Sequence, residues 1–272
     1  MTPKAIDIRT ARRLFRAVPS HDHPARFSAE LTQALVDPLI EFDVQSVLDP
    51  FSGTGLIHII AELAGVPTSI GVELEPEWAN IDIFDSLPRL QVVGNSCTAL
   101  RTLPGFGLFG AIESSCTYAS RMADKHQAKD PCKTCDGTGL GTPPPTGTGR
   151  CGRCRGTGRS RRNTYTHRLG RPLTNGNSGG MQWGEPYREL HKTVWAESVA
   201  ALAPGGIFVL NVKDHIRKKK VVPVSAWHHD TLTGLGLAHV RTRDIACPGN
   251  RNGENADARV DHEHVMVFRK AA

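Results

Sequence analysis

Short apolar runs separated by turn residues divide most of the chain into alternating strand and helix patterns. They predict seven strands, near residues 46–48, 69–74, 90–93, 108–113, 206–212, 237–244 and 260–269. Apolar residues that recur with a period of about 3.6 predict helices between them, including one over 185–203 whose buried stripe starts at Tyr187. Repeated alternation of strand and helix favours a parallel sheet with helices on both faces. We therefore predict an α/β fold.

The segment 46–55 has the layout of a ligand-binding strand, turn and helix. Val47 and Leu48 lead into Asp49, glycines follow at positions 53 and 55, and a helical pattern begins at Leu56. Glycine is needed where the backbone takes a positive φ or approaches a ligand closely, although a G-x-G can also be only a turn. About twenty residues further on, a second predicted strand ends at Glu73, where nucleotide-binding α/β folds place the acceptor for ribose hydroxyls.

The tract Asp-Pro-Phe-Ser-Gly-Thr-Gly at 49–55 resembles the S-adenosylmethionine (SAM) site of the amino-methyltransferases that act on nucleic acids, the N4-cytosine and N6-adenine DNA methylases. The resemblance implies a Rossmann-like fold with a seven-stranded, mostly parallel sheet and a C-terminal antiparallel hairpin. It implies SAM as cofactor, with Glu73 accepting from the ribose and Asn95 facing adenine where the family usually has an acidic residue. An aromatic residue beside the loop would flank adenine or belong to the core. The predicted cofactor-binding residues are Asp49, Phe51, Gly53, Gly55, Glu73 and Asn95.

The turn 115–118, called here the acceptor turn, lies where the family carries Asp, Asn or Ser followed by Pro-Pro-Tyr. Those oxygens would accept hydrogen bonds from an exocyclic amine and concentrate electron density on its nitrogen, while the aromatic ring would stack on a flipped base. Ser115 and Tyr118 match, and serine is typical of the N4-cytosine group. Cys116 and Thr117 replace both prolines, so the turn must be held by its surroundings. We predict catalytic roles for Ser115, the carbonyl of Cys116, and Tyr118, with Cys116 as a nucleophile on cytosine as the alternative.

Two copies of C-x-x-C-x-G-x-G, at 132–139 and 151–158, contain four of the seven cysteines. In a cytosolic protein this pattern predicts a metal site rather than disulfides. Four thiolates suit a tetrahedral Zn²⁺ that is structural, because no coordination position stays open. The repeat resembles half of the cysteine-rich domain of DnaJ-type chaperones, and the run at 121–124 before it resembles phage-encoded methylases. The predicted ligands are Cys132, Cys135, Cys151 and Cys154.

Charge is distributed unevenly around these cysteines. The formal net charge is +6, and no acidic residue lies between Asp136 and Glu185, where eight arginines do. This favours a phosphate-binding surface over a solvated face of mixed charge. We predict that residues 127–184 are a target-recognition insertion, or alternatively a protein-interaction module, between 1–126 and 185–272 of a methyltransferase domain. The predicted DNA-binding residues are Arg153, Arg155, Arg159, Arg161 and Arg162.

These patterns predict a SAM-dependent enzyme that methylates an exocyclic amine in DNA, with cytosine N4 favoured over adenine N6. Two alternatives stay open: a catalytically impaired nucleic-acid-binding protein on a methyltransferase scaffold, and an RNA base methyltransferase. No stretch approaches eighteen uninterrupted apolar residues, and the first residues lack an apolar signal core. We therefore expect no membrane partner and a cytoplasmic protein of a bacterial or phage-infected cell.

Overall fold

The computed structural model describes residues 27–82, 85–86, 88–120, 123, 131–141, 149–154, 156–160, 164–247 and 260–272. Its helices are α1 (Ala29–Glu41), α2 (Leu56–Ala64), α3 (Ser96–Ala99), α4 (Tyr165–Leu169), α5 (Glu185–Ala201) and α6 (Val224–Gly234). Its strands are β1 (Ser46–Asp49), β2 (Thr68–Glu73), β3 (Asp85–Ser86), β4 (Arg89–Val93), β5 (Phe109–Ser115), β6 (Leu202–Val212), β7 (His215–Arg217), β8 (Lys220–Val222), β9 (Ala238–Ala246) and β10 (His262–Arg269).

Eight of the strands form one sheet in the order β3-β4-β2-β1-β5-β6-β10-β9. The five strands from β4 to β6 are parallel, and β10 runs antiparallel to both β6 and β9. The predicted α/β fold with its C-terminal antiparallel hairpin is confirmed. The seven predicted strands are present, and the eighth is the two-residue edge strand β3, which is too short for a periodicity argument to detect.

Helices cover both faces of this sheet and create two apolar cores. One core lies under α5 and α6 and includes Trp195, Phe208 and Phe268. The other lies under α1 and α2 and includes Leu35 and Ile57. Burial of such side chains is the main favourable term in folding, at about 25 cal/mol for each Å² of apolar surface removed from water. The sheet is therefore held rigidly between two layers, and its strand ends provide fixed positions for functional groups.

The helix ends show how local sequence sets these elements. Helix α1 begins where Ser28 Oγ accepts a hydrogen bond from the backbone N–H of Leu31 at 3.1 Å, which is the usual role of a serine before a helix. Helix α5 begins at the predicted residue but ends at Ala201, two residues early. Strand β6 then starts at Leu202, which pairs with Phe109 of β5. An irregularity at Pro204 and two glycines follows, and pairing with β5 resumes at Ile207. Within the described part of the chain, no helix combines the length and apolar character that a membrane crossing requires.

Candidate cofactor and acceptor site

A pocket that is partly open to solvent lies at the carboxyl ends of β1, β2, β4 and β5; together with the solvent space at its mouth it measures about 910 Å³. Ligands of open α/β sheets bind at this edge, where parallel strands end side by side. Six of the predicted site residues line it: Asp49, Phe51, Gly53, Glu73, Asn95 and Ser115. The structure therefore brings five of the six predicted cofactor residues and the first residue of the acceptor turn around one pocket.

The glycine loop, residues 50–55, is shaped by a buried polar network beneath it. Gln91 on β4 donates through Nε2 to Ser52 Oγ at 2.6 Å and to the Gly53 carbonyl at 3.1 Å. Its Oε1 lies 3.0 Å from Nε2 of His58, whose Nδ1 lies 2.7 Å from Ser69 Oγ. Burial lowers the pKa of His58 to about 4, so the imidazole is neutral. Its Nε2–H group donates a hydrogen bond to Gln91 Oε1. Sequence reasoning missed this network, although a glutamine inside an apolar strand was a signal for it.

Gly53 and Gly55 both have the positive φ angles that the sequence argument required, 53° and 79°. Gly53 lines the pocket, whereas Gly55 is the residue before helix α2 and has no side chain with which to cap it. The first backbone N–H groups of α2 are therefore not capped by this residue's side chain. Such N–H groups suit an anionic or carbonyl group of a ligand.

Two carboxyl groups at the pocket are buried and easily protonated. Burial raises the pKa of Asp49 to about 7. The hydrogen bond that Asp49 accepts from the Phe51 N–H at 2.9 Å lowers this pKa, but by less than burial raises it. Burial likewise raises the pKa of Glu73 to about 7, and Glu73 accepts from the Glu75 N–H at 2.7 Å. Because an adjacent positive charge favours the ionised form of a carboxyl group, a cationic ligand fits this pocket.

Phe51 and Asn95 both line the pocket, and each also has a structural role that the resemblance did not imply. Phe51 lines the pocket, but its ring also packs on His191 and Trp195, with centroids 5.1 and 5.6 Å apart. Asn95 lines the pocket, but its Oδ1 caps helix α3 by accepting from the Cys97 N–H at 3.0 Å. An amide oxygen has a second lone pair, so the predicted contact with adenine is compatible with this capping role.

The buried carboxylate of Glu75, which sequence reasoning missed, ties a distant segment to the pocket rim. It accepts from the Thr174 N–H at 2.7 Å, from Asn177 Nδ2 at 2.8 Å and from Arg171 Nη2 at 2.7 Å. Residues 176–179 line the pocket as a result. The final part of the predicted insertion thus contributes to the lining of this pocket. Arg171, one of the eight clustered arginines, is paired with Glu75 and Glu77.

The acceptor turn is fixed by a side chain from the neighbouring strand. Asn211 on β6 is fully buried, and its Nδ2 lies 3.0 Å from Ser115 Oγ, 2.9 Å from Tyr118 Oη and 3.1 Å from Glu263 Oε2. Ser115 lines the pocket, whereas the Tyr118 hydroxyl group is held toward Asn211 and Glu263. A lone polar residue within the apolar run of β6 was the available signal for Asn211.

Cys116 has the environment of an inert core thiol. Its side chain is 2% exposed, and burial raises its pKa to about 12. Because the thiolate is the nucleophilic form, this environment disfavours the alternative in which Cys116 attacks a cytosine ring.

Glu113 on β5 is a buried acid whose two carboxylate oxygens have no hydrogen-bond partner among the described residues. Burial, assisted by the neighbouring Asp49, raises its pKa well above the usual value, so the group is protonated in the folded protein. Above about pH 4.3, where glutamate ionises in the unfolded chain, folding retains a proton that unfolding releases. Glu113 therefore makes the free energy of unfolding fall as the pH rises.

We expect Glu113→Gln to remove this pH dependence. Its free energy of unfolding, relative to that of the unmodified protein, should increase by about 1.4 kcal/mol for each pH unit until the pKa of the native acid is reached. Urea denaturation at a series of pH values from 5 upward, about one unit apart, measures the difference. Parallel pH profiles for the two proteins would contradict the assignment.

The four predicted zinc ligands form one cluster. Their Sγ atoms all lie within 4.8 Å of one another, with Cys132 and Cys151 4.0 Å apart and Cys135 and Cys154 3.7 Å apart. Tetrahedral coordination at a Zn–S distance of about 2.3 Å places sulfurs about 3.8 Å apart. The arrangement fits a zinc ion, which these four thiolates could hold with no position left for a reactant.

The two knuckles, 132–139 and 151–158, pack as equivalent halves. The Cys132 N–H donates to the Gly158 carbonyl and the Cys151 N–H donates to the Gly139 carbonyl, both at 2.8 Å. The Gly139 N–H also donates to Cys135 Sγ at 3.3 Å, which orients that ligand. The repeated glycines thus have a structural role: they let each knuckle approach the backbone of the other.

The basic residues are only partly described. Arg153 and Arg159 are exposed on the second knuckle and its continuation, whereas Arg155, Arg161 and Arg162 lie outside the described residues. The DNA-binding role of all five stays a prediction.

The fold is similar to that of solved methyltransferases. A candidate sarcosine dimethylglycine methyltransferase from Galdieria sulphuraria matches with a TM-score of 0.51 and 11% identity over 97% of each chain. The 1,6-didemethyltoxoflavin-N1-methyltransferase of Burkholderia thailandensis, solved with S-adenosylhomocysteine, matches with a TM-score of 0.47 and 13% identity over 100% of this chain and 92% of that chain. A candidate DNA modification methylase from Thermus thermophilus, solved with SAM, matches only 32% of this chain and 37% of its own, with a TM-score of 0.27 and 21% identity.

At the level of sequence, neither a family model nor a curated protein matches the chain. The mostly parallel sheet with its antiparallel C-terminal strands has the Rossmann-like fold of the Galdieria sulphuraria protein.

Proposed function

We propose that this protein is a SAM-dependent methyltransferase that modifies an exocyclic amino group in DNA, at cytosine N4 rather than adenine N6. One observation carries the proposal: Ser115, the first residue of the acceptor turn, opens on the same pocket as Glu73 and the glycine loop. A cofactor held by the strand ends and an amine held by the turn would meet in this cavity.

The pocket residues suit the cofactor in their charge and in their hydrogen-bonding groups. Glu73 would accept hydrogen bonds from the ribose hydroxyls, and the glycine loop leaves backbone N–H groups for the methionine end. Asp49 and Glu73, whose pKa values burial raises to about 7, would be ionised beside a cation. When bound, SAM supplies an electrophilic methyl group on a sulfonium centre.

The acceptor turn supplies what an exocyclic amine needs in order to react. The lone pair of such an amine is delocalised into its ring, which makes the nitrogen a weak nucleophile. Ser115 Oγ and the Cys116 carbonyl would accept its two N–H groups and localise that pair. Because Asn211 donates to Ser115 Oγ at 3.0 Å, a lone pair of the serine oxygen stays in a fixed direction. Serine at this position supports cytosine N4 as the target through the family resemblance.

The segment 127–184 would recognise the DNA. Zinc would pin the two knuckles, and the exposed Arg153 and Arg159 would contact phosphates or guanine edges. Glu75 anchors the end of the segment to the pocket rim, which would hold the recognition surface next to the acceptor turn. Weakening of DNA binding with rising salt concentration is expected from such contacts.

Transfer of a labelled methyl group from SAM tests the proposal, with duplex DNA, single-stranded DNA and tRNA as acceptors. We expect label in duplex DNA, and nucleoside digestion should identify N4-methylcytosine. Transfer to tRNA alone would establish the RNA enzyme instead. Tight SAM binding without transfer to any DNA or tRNA would support the catalytically impaired protein, in which Cys116 and Thr117 no longer give a competent turn.

Ser115→Ala should lower kcat by about 10²- to 10³-fold, because one preorganised polar contact to the reacting group is lost. Calorimetry should show unchanged affinity for SAM. Ser86→Ala, which removes an exposed hydroxyl from the edge strand β3, is the matched control and should keep full activity. Equal values of kcat for the two variants would show that Ser115 has no catalytic role.

A further inference from the structure

Three buried polar side chains form a chain of hydrogen bonds beneath the acceptor turn. Trp195 Nε1 donates to His228 Nδ1 at 2.9 Å, His228 Nε2 lies 3.0 Å from Tyr187 Oη, and Tyr187 Oη lies 2.5 Å from the Thr117 carbonyl oxygen. Trp195, His228 and Tyr187 each have no exposed surface. They come from α5 and α6, whereas the carbonyl that ends the chain belongs to the acceptor turn.

The direction of the chain follows from which groups can donate. An indole N–H is only a donor, so Nδ1 of His228 must be an acceptor and the neutral ring carries its proton on Nε2. That proton is directed to Tyr187 Oη, which leaves the phenolic proton for the Thr117 carbonyl. A protonated His228 would point an N–H at the indole N–H and break the chain. Burial, followed by the neighbouring His191, lowers the pKa of His228 well below its usual value, in agreement with a neutral ring.

We infer that Trp195, His228 and Tyr187 are positioning residues that hold the acceptor turn in the place of the two missing prolines. Two prolines would restrict φ at positions 116 and 117, whereas a phenol fixed from below restrains the Thr117 carbonyl by a directed hydrogen bond. This inference rests on the proposed function, because only a methyl transfer to an amine gives the acceptor turn a catalytic role. With the Thr117 carbonyl turned to the phenol, Ser115 Oγ and the Cys116 carbonyl are the acceptors that the turn offers to an amine.

The chain is also coupled to the cofactor pocket. Phe51, at the start of the glycine loop, packs on the rings of Trp195 and His191, and the His191 ring lies 4.0 Å from that of Tyr187. Closely packed interiors transmit small shifts because they contain few voids. One aromatic cluster thus contributes both to the wall of the cofactor pocket and to the restraint on the acceptor turn. It would keep the methyl donor and the acceptor at a fixed distance from each other.

Tyr187→Phe tests the inference, because it removes one hydroxyl group and leaves the ring packing in place. We expect kcat to fall about 10- to 100-fold, as for a small misplacement of reacting groups, with the affinity for SAM unchanged. Backbone hydrogen exchange across 115–120 should become faster. The matched control is Ser198→Ala on the same helix, whose buried hydroxyl has no hydrogen-bond partner in the described part of the chain.

The exchange measurement separates failure of this inference from failure of the proposed function. If the unmodified protein transfers no methyl group to any nucleic acid, the exchange rates of 115–120 still report whether the phenol restrains the turn. Faster exchange in Tyr187→Phe than in Ser198→Ala supports the inference. Equal exchange rates in the two variants, or an equal loss of kcat, would reduce Tyr187 to a packing residue and overturn it.

Discussion

Replacing Gly158 by alanine should weaken zinc binding strongly even though it changes no ligand. Gly158 has a φ of 68°, a conformation that costs an L-residue about 1–2 kcal/mol. A Cβ at this position would lie 2.2 Å from the backbone carbonyl oxygen of Gly137, which cannot swing aside as a flexible side chain would. The two knuckles would have to separate, and the four Sγ atoms would no longer surround one point. We expect zinc affinity to fall more than about 100-fold, equivalent to about 2.7 kcal/mol.

Gly152→Ala is the control for this prediction. Gly152 lies in the same knuckle between two ligands, but a Cβ there would meet open space and its φ is not positive. Metal content after desalting, together with competition against a chromophoric chelator, should give about one zinc for each chain in Gly152→Ala and little in Gly158→Ala. Cys151→Ser, which lacks one of the four ligands, gives the zinc content expected of a protein without an intact site. Full occupancy in Gly158→Ala would show that the knuckles do not pack as described.

Gly71→Ala should weaken SAM binding by at least about 100-fold, which corresponds to about 2.7 kcal/mol. Gly71 lies on β2 behind the glycine loop, and an added Cβ would lie 2.2 Å from Gln91 Oε1 and 2.7 Å from both Cβ and Oγ of Ser52. Gln91 would have to leave its position, which would deprive His58 of its buried partner and the loop of its support. Leaving a buried polar group unpaired costs about 1–3 kcal/mol by itself.

Calorimetric titration with SAM measures this effect, and Gly234→Ala supplies the comparison. A Cβ at Gly234, at the end of α6, would meet no atom within 4 Å, and alanine is the better helix former. Gly234→Ala should bind SAM as the unmodified protein does. If Gly71→Ala bound SAM equally well, the network of Gln91, Ser52 and His58 would have no part in shaping the cofactor site. Circular dichroism of both variants checks that each is folded.

Much of the fold was predictable because its signals are local. The alternation of apolar runs identified the strands, and the period of 3.6 residues identified the start of helix α5. The two cysteine motifs identified the ligand cluster, because their spacing within each knuckle is a local property. The strand ends at Asp49 and Glu73 meet around one pocket for a similar reason, since parallel strands end at a common edge.

The groups that support the site could not be read from such signals. Gln91, Glu75 and Asn211 each act on residues far away in the chain, and a polar residue in a strand does not reveal which loop it will reach. Tyr187 was predicted only as part of a buried stripe, because periodicity reports burial and not the direction of a hydroxyl group. The sequence also predicted Phe51 and Asn95 for cofactor contacts without showing that each has a second, structural role.

The sequence by itself determined the succession of the longer strands along the chain, the cysteine cluster and the strand ends near Asp49 and Glu73, because these depend on patterns within a few neighbouring positions. Tertiary structure alone decided how the acceptor turn is held and which carboxyl groups are protonated. Those properties arise where α5, α6 and the sheet exclude water around Tyr187, His228 and Glu113, and burial of a polar group depends on every element packed against it.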